Sequence, residues 1–225
     1  MNQKQISTEN ANDGQLKQLY ETAFPKEEQI PWDDLVRLIG EMHLDFTAYY
    51  EGEEFIGFTI VYPRPSFNWY WYFAVKEELR GKGLGQKILN QLIERYKGQS
   101  CVLDMESPRQ ECDNKEQRQR RHEFYLRNGF RDTSVYRCWD DLEMTIMMIG
   151  PGEFTLQDWD EIVGELRKYW TGIKNNDMAY MNKYQSDDYR RDELIRIIEH
   201  SVEKLTLAEL EALYYDMTTK SYIND

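Results

Sequence analysis

Cysteine is scarce in this 225-residue chain: Cys101, Cys112 and Cys138 are the only three, and no C-x-x-C pair occurs. Neither a structural zinc site nor a disulfide framework is expected from such a scattered set, and buried or incidental thiols fit it better than a Cys/His nucleophile pair. Histidine is equally rare (His43, His122 and His200) and no H-E-x-x-H run is present, so no metal is expected. No apolar run approaches the roughly 18 residues of a membrane span. The opening Met1-Asn2-Gln3-Lys4-Gln5 lacks the apolar segment of a signal peptide. No membrane partner is expected, and the cytoplasm is the default location. Positive charge is in deficit, with 28 Lys and Arg against 41 Asp and Glu for a net charge of −13, which argues against nucleic acid as a partner. Residues 151–225 carry 16 acidic and 9 basic residues, net −7, whereas the first 150 residues carry net −6. That field suits a cationic or amine substrate, although its first service is solubility.

Aromatic residues, in contrast, are plentiful: 14% of the chain, with 16 tyrosines and 6 tryptophans, ample for a core. They concentrate in the stretch Trp69 to Lys87, WYWYFAVKEELRGKGLGQK. Its first part, Trp69 to Val75, reads as a strand buried on both faces. After the charged turn Lys76 to Leu79 comes Arg80-Gly81-Lys82-Gly83-Leu84-Gly85. Apolar residues then recur at Leu84, Ile88, Leu89, Leu92, Ile93 and Tyr96, the spacing of one helix face. Strand, glycine-rich turn and helix follow in that order. Glycines at a helix start let the backbone approach a ligand, and the free N–H groups there attract an anion. Arg80, Lys82 and Lys87 add positive charge, so a pyrophosphate site is one reading; a tight turn with solvated charges is the other. The dinucleotide fingerprint fails, with Gln86 in place of the third glycine, and the Walker A spacing is missing.

Along the chain, a first strand is expected near Lys4 to Thr8. A helix follows, capped by Asn12 or Asp13 and stopped by Pro25, and a second starts at Pro31-Trp32 with Leu35, Leu38 and Ile39 inward. Leu44 to Glu51 and Phe55 to Tyr62 form a hairpin around Gly52. Cys101 to Glu106 is another strand. Asn114 to Arg127 is a basic helix whose Arg118, Arg120 and Arg121 either neutralise phosphates or form an exposed charged face; Asn128-Gly129 ends it. Two closing strands (Phe130 to Asp140 and Leu142 to Gly150) precede a helix capped by Thr155. Thr171 to Asp188 reads as a linker or long loop. Two final helices follow, the second opened by the capping box Thr206-x-x-Glu209. Too small to bury a core of their own, they should dock on the main domain or on another subunit, as in a homodimer.

Two motifs now carry a family resemblance. One is Tyr72-Phe73-Ala74-Val75 followed by Arg80-x-x-Gly83-x-Gly85, and the other is the helix end Phe124-Tyr125-Leu126-Arg127-Asn128-Gly129-Phe130. In this order, separated by the strand Cys101 to Glu106, they resemble the signatures of the GNAT superfamily of acyl-CoA-dependent N-acyltransferases. The resemblance covers the first 150 to 170 residues. It implies an α/β fold of the α+β type, a mixed and mostly antiparallel central sheet flanked by helices. The domain would span 1–170, and 171–225 would form a linker and a helical-pair extension.

The resemblance further implies acetyl-CoA or CoA as cosubstrate and no metal. The backbone of Gly81, Lys82, Gly83, Leu84 and Gly85, beside Arg80, would hold the pyrophosphate. The main chain of Phe73, Ala74 and Val75 would pair with the pantetheine arm. Tyr125 matches the family's tyrosine and would protonate the departing thiolate. Glu106 is the candidate general base, with Asp104 on the same side by strand alternation; a salt bridge between Glu106 and the basic helix is the competing expectation. Glu27 and Glu28 are candidates for recognising a cationic acceptor, and Trp32, Trp69 and Trp71 for lining its cleft. One departure stands out: Arg118 occupies the position of an asparagine found in many members. The expected activity is acetyl transfer to an amine of a small molecule or peptide. A CoA-binding regulatory module without turnover is the alternative.

Overall fold

The computed structural model describes residues 1–139, 142–170, 178–181 and 205–211. Local chemistry sets most element boundaries. Helix α1 (Gly14–Ala23) is opened by Asp13, whose side chain accepts the Gln15 N–H at 2.9 Å, and Pro25 follows its end. Helix α2 (Trp32–Glu41) buries Leu35, Leu38 and Ile39, as the spacing predicts. Between them, Lys26–Glu28 makes a single 3-10 turn. Helix α3 (Leu84–Arg95) buries Leu84, Ile88, Leu89 and Leu92; burial of each contributes on the order of 1.5–3 kcal/mol. Helix α4 (Lys115–Arg127) ends at Asn128, and Gly129 then takes φ 86°, a left-handed conformation that glycine adopts without a Cβ clash. Helix α5 (Leu156–Tyr169) carries a full capping box between Thr155 and Asp158.

The strands are β1 (Asn2–Ile6), β2 (Asp45–Glu51), β3 (Glu54–Tyr62), β4 (Asn68–Val75), β5 (Cys101–Glu106), β6 (Arg131–Trp139) and β7 (Leu142–Ile149). They order as β1-β2-β3-β4-β5-β7-β6. Every neighbouring pair is antiparallel except β4–β5, which is parallel. This is the mixed, mostly antiparallel sheet expected from the sequence. The first strand starts two residues before its expected position, at Asn2.

Helices cover both faces. On one, Tyr20 of α1 and Trp32 of α2 pack with Phe46 and Phe58, the Phe46–Phe58 ring centroids being 5.3 Å apart. On the other, Leu89 and Leu92 of α3 and Tyr125 of α4 close over Val61, Tyr70, Leu103, Met105 and Met147.

The chain divides into two compact units, Met1–Ala179 and Tyr180–Asp225. A short strand, β8 (Met178–Met181), occurs inside the stretch that the sequence reads as a linker or long loop. Within the second unit, Thr206 and Glu209 form the expected capping box, the Thr206 N–H reaching a Glu209 carboxylate oxygen at 2.8 Å. The expected helix around Leu194 to Val202 lies outside the described residues, as does the rest of the second helix beyond residue 211. Among the described residues no helix is long and apolar enough to cross a membrane.

Candidate active site

The site begins with an irregularity in β4. Tyr72 pairs with Ile60 and Tyr70 with Val61, so Trp71 is an extra residue, a β-bulge. The bulge resets the alternation of side chains. Tyr70 and Phe73 both pack toward the α3–α4 side, whereas Trp69, Trp71 and Tyr72 stack in a row on the opposite face. The Trp69–Trp71 centroids are 4.7 Å apart and the Trp71–Tyr72 centroids 5.5 Å. Pairing between β4 and β5 stops at the same place: only Asn68 with Cys101 and Trp69 with Val102 are in register. Beyond them the strands part, and a cleft of about 1110 Å³ opens between the rest of β4 and Leu103 to Glu106. Among the described residues, the β5-facing main chain of β4 therefore has no strand partner from Tyr70 to Val75.

One end of the cleft is the glycine turn. Gly81 and Gly83 take φ of 76° and 74°, so both positions suit glycine on conformational grounds. The first turn of α3 closes with Lys87 N–H donating to the Gly83 carbonyl at 3.1 Å. The N–H groups of Leu84, Gly85 and Gln86 are left without acceptors inside the helix. Phe73, Ala74, Val75, Arg80, Gly81, Gly83 and Gly85 all line the cleft. Lys82 does not line it and is exposed; Leu84 turns its side chain into the core beside Tyr49, Ile56 and Ile88. Lys87, read from sequence as part of the positive cluster, is paired with Glu51 at 2.8 Å.

Tyr125 stands where the strands part. Its ring is buried between Phe124 and Phe130, each 5.4 Å away, and its hydroxyl has no hydrogen-bond partner among the described residues. Burial pushes its pKa up to about 12, so the hydroxyl keeps its proton at neutral pH. Asn128 ties this end of α4 to the start of α3, donating to the Phe124 carbonyl at 2.7 Å and to Gln86 Oε1 at 3.1 Å.

The other end is acidic and aromatic. Glu106 is buried, with Arg118 at 2.8 Å from Oε1, Arg121 at 3.2 Å from Oε2 and Asn114 Nδ2 at 3.4 Å. Of the two expectations for Glu106, the geometry realises the salt bridge with the basic helix. Arg118 thereby departs from both sequence readings: it is buried, and its charge is answered by a carboxylate. Arg120 is exposed, 3.7 Å from Glu116, and borders the cleft. Asp104 accepts the Trp69 indole N–H at 3.0 Å and is ion-paired with Arg137, whose guanidinium lies over the Trp159 ring at 4.4 Å. Glu28 reaches the cleft from the 3-10 turn, where the Tyr72 hydroxyl donates to its main-chain carbonyl at 2.8 Å. Its carboxylate has no partner among the described residues. Burial first, then the negative charges of Glu106 and Asp104, push its pKa up to about 7.

Trp69 and Trp71 line the cleft as expected; Trp32 does not, being buried in the core against Tyr20 and Phe46. The sequence reading missed Arg137, Trp159 and Trp170, which complete the wall at this end. Among the described residues, no group of three His, Cys, Asp or Glu side chains is arranged to hold a metal ion. One cleft thus joins unpaired main-chain donors, a protonated phenol and a set of carboxylates. Such a series can hold an anionic cofactor at one end and move a proton at the other.

Comparison with known proteins agrees with this architecture. The family model for an acetyltransferase (GNAT) domain matches residues 43–132. No curated protein matches in sequence. Among solved structures, a protein ascribed to the GNAT family of acetyltransferases from Bacteroides thetaiotaomicron superposes with a TM-score of 0.62 at 24% identity, covering 77% of this chain and all of that one. The ribosomal-protein-S18-alanine N-acetyltransferase of Escherichia coli gives 0.53 at 15% identity, over 69% of this chain and 97% of its own. An aminoglycoside 6'-N-acetyltransferase complexed with coenzyme A gives 0.51 at 18% identity, over 66% and 96%. At these identities the structural likeness is one of fold.

Proposed function

We propose that this chain, whose residues 43–132 match the family model for an acetyltransferase (GNAT) domain, transfers an acetyl group from acetyl-CoA to an amine by direct attack. Acyl transfer from an acyl-CoA is the chemistry of the domain; acetyl as the acyl group and nitrogen as the acceptor are the finer reading. The observation that carries it is the continuity of the cleft from the Gly81–Gln86 main chain, past the Tyr125 hydroxyl, to the carboxylates of β5.

The pyrophosphate of CoA fits the free N–H groups at the start of α3, with the Arg80 guanidinium beside them. The pantetheine arm fits the unpartnered edge of β4 from Phe73 to Val75, adding to it as a strand would. Its thioester then lies where β4 and β5 part. There the amine nitrogen attacks the carbonyl carbon, the carbon–sulfur bond breaks, and the thiolate takes the Tyr125 proton; the proton lost by the amine goes to a carboxylate or water. The products are an amide and CoA, with no net change in protons. Glu106, expected from sequence as the base, is neutralised by two guanidiniums. We assign it to the electrostatic frame of the acceptor end. The bound CoA of the aminoglycoside enzyme, on the same fold, supports the cosubstrate.

The test is release of free thiol from acetyl-CoA in the presence of amines, for the wild type and Tyr125→Phe. The expected result is amine-dependent release whose kcat falls about 100-fold in the variant, with acetyl-CoA affinity within twofold of wild type. Acetyl-CoA binding without release on any amine would instead favour a regulatory module.

A further inference from the structure

The acceptor end of the cleft holds three carboxylates, and their surroundings differ. Asp104 is taken by Trp69 and Arg137, and Glu106 by Arg118, Arg121 and Asn114. Glu28 alone among them has no hydrogen-bond or ion-pair partner among the described residues, and it borders the cavity. Aromatic rings line the same cavity: Trp71, stacked on the buried Trp69, then Trp170, and Trp159, set edge-on to Trp69 at 6.1 Å with the Arg137 guanidinium over its ring. A site with one unanswered negative charge and aromatic walls suits one positive charge on a flat apolar body. A polycation would bring its other charges up against the Arg121 and Arg137 guanidiniums, which border the same cavity. The overall charge of −13 is therefore a poor guide to the acceptor.

We infer that Glu28 receives the acceptor's ammonium group and takes its proton, and that the acceptor is a monoamine on an aromatic body, an arylalkylamine in chemical class. This rests on the acetyl-transfer reading above. In the step itself the Glu28 carboxylate gains the first proton that the ammonium nitrogen loses, and the freed lone pair attacks the thioester carbon. The nitrogen's second proton passes to water as the carbon–sulfur bond breaks and the thiolate takes the Tyr125 proton; Tyr125 is then reprotonated, so that starting from the ammonium form one proton is released overall. The groups facing Glu28 are Tyr20 from α1, Tyr72 from β4, Asp104 and Glu106 from β5, Arg121 from α4 and Arg137 from β6. Desolvation and the two acids outweigh the two arginines, which leaves the carboxyl able to exchange a proton near neutrality.

The experiment measures acetyl-CoA binding by calorimetry, then kcat/KM for tryptamine and phenethylamine against spermidine and a polycationic aminoglycoside. Tryptamine kinetics are followed from pH 5.5 to 9 for the wild type and Glu28→Gln. The expected result is at least a tenfold preference for the two monoamines, with wild-type kcat/KM rising through an inflection near pH 7. Glu28→Gln should lose that inflection and about 100-fold in kcat/KM, with acetyl-CoA affinity within twofold. Acetyl-CoA binding with faster turnover of a polycation, with no turnover of either monoamine, or with an unchanged Glu28→Gln profile would overturn the inference alone. Absence of acetyl-CoA binding would overturn the acetyl-transfer reading, and this inference with it.

Discussion

The two ends of the cleft are built from different material. On the proposed reading, the working groups at the glycine turn are main-chain N–H donors, fixed by two left-handed glycines and the first turn of α3. At the acceptor end they are side chains, fixed by one another across β4, β5, α4 and β6. Side-chain substitutions should therefore be felt unequally: little at the turn, strongly at the acceptor end. A main-chain site depends on backbone conformation, whereas a buried ionic frame depends on the presence of every partner.

The largest effect is expected for Arg118→Met. It leaves the buried Glu106 with Arg121 alone as an ionic partner and should lower stability by about 3 kcal/mol, read from urea unfolding. Adding Glu106→Gln should recover much of that loss, because the stranded charge is gone. A loss below about 1 kcal/mol would mean that Glu106 is already solvated, and the contrast between the two ends would weaken. The smallest effect is expected for Lys82→Ala. Lys82 is exposed and does not line the cleft, so acetyl-CoA affinity should change less than about threefold. A larger loss would show that a side chain, and not only main chain, carries the turn.

The same contrast explains what was legible in the sequence. The turn could be read because a left-handed backbone imposes glycine at Gly81 and Gly83 within a few residues, and the helix periodicity that follows is local as well. Tyr125 could be read because it sits at a fixed distance from the helix end at Gly129. The succession of strands and helices along the chain followed from the spacing of apolar segments, whereas their order in the sheet did not. The acceptor end was legible only in outline: Glu106, Asp104 and Glu28 could be named, and a salt bridge from Glu106 to the basic helix expected, but not which side chains meet. Glu106 and Arg118 are 12 positions apart in sequence and meet only because α4 packs beside the end of β5. Asp104 and Arg137 meet across strands whose register no local pattern announces. The bulge at Trp71 was hidden, because an unbroken aromatic run looks the same with or without an extra residue. Without it, Trp69, Trp71 and Tyr72 would not share a face. Trp32 shows the converse: a tryptophan near the right loop, expected in the cleft, went to the core because α2 turns it toward Phe46.

The central claim is that the two ends serve a single thioester held where β4 and β5 separate. A crystal structure of the full chain with CoA tests it most directly. The account predicts the pyrophosphate on the N–H groups of residues 81–86, the pantetheine along Phe73 to Val75, and the sulfur within about 4 Å of the Tyr125 hydroxyl. CoA bound elsewhere, or its sulfur pointing away from Tyr125 and Glu28, would contradict it.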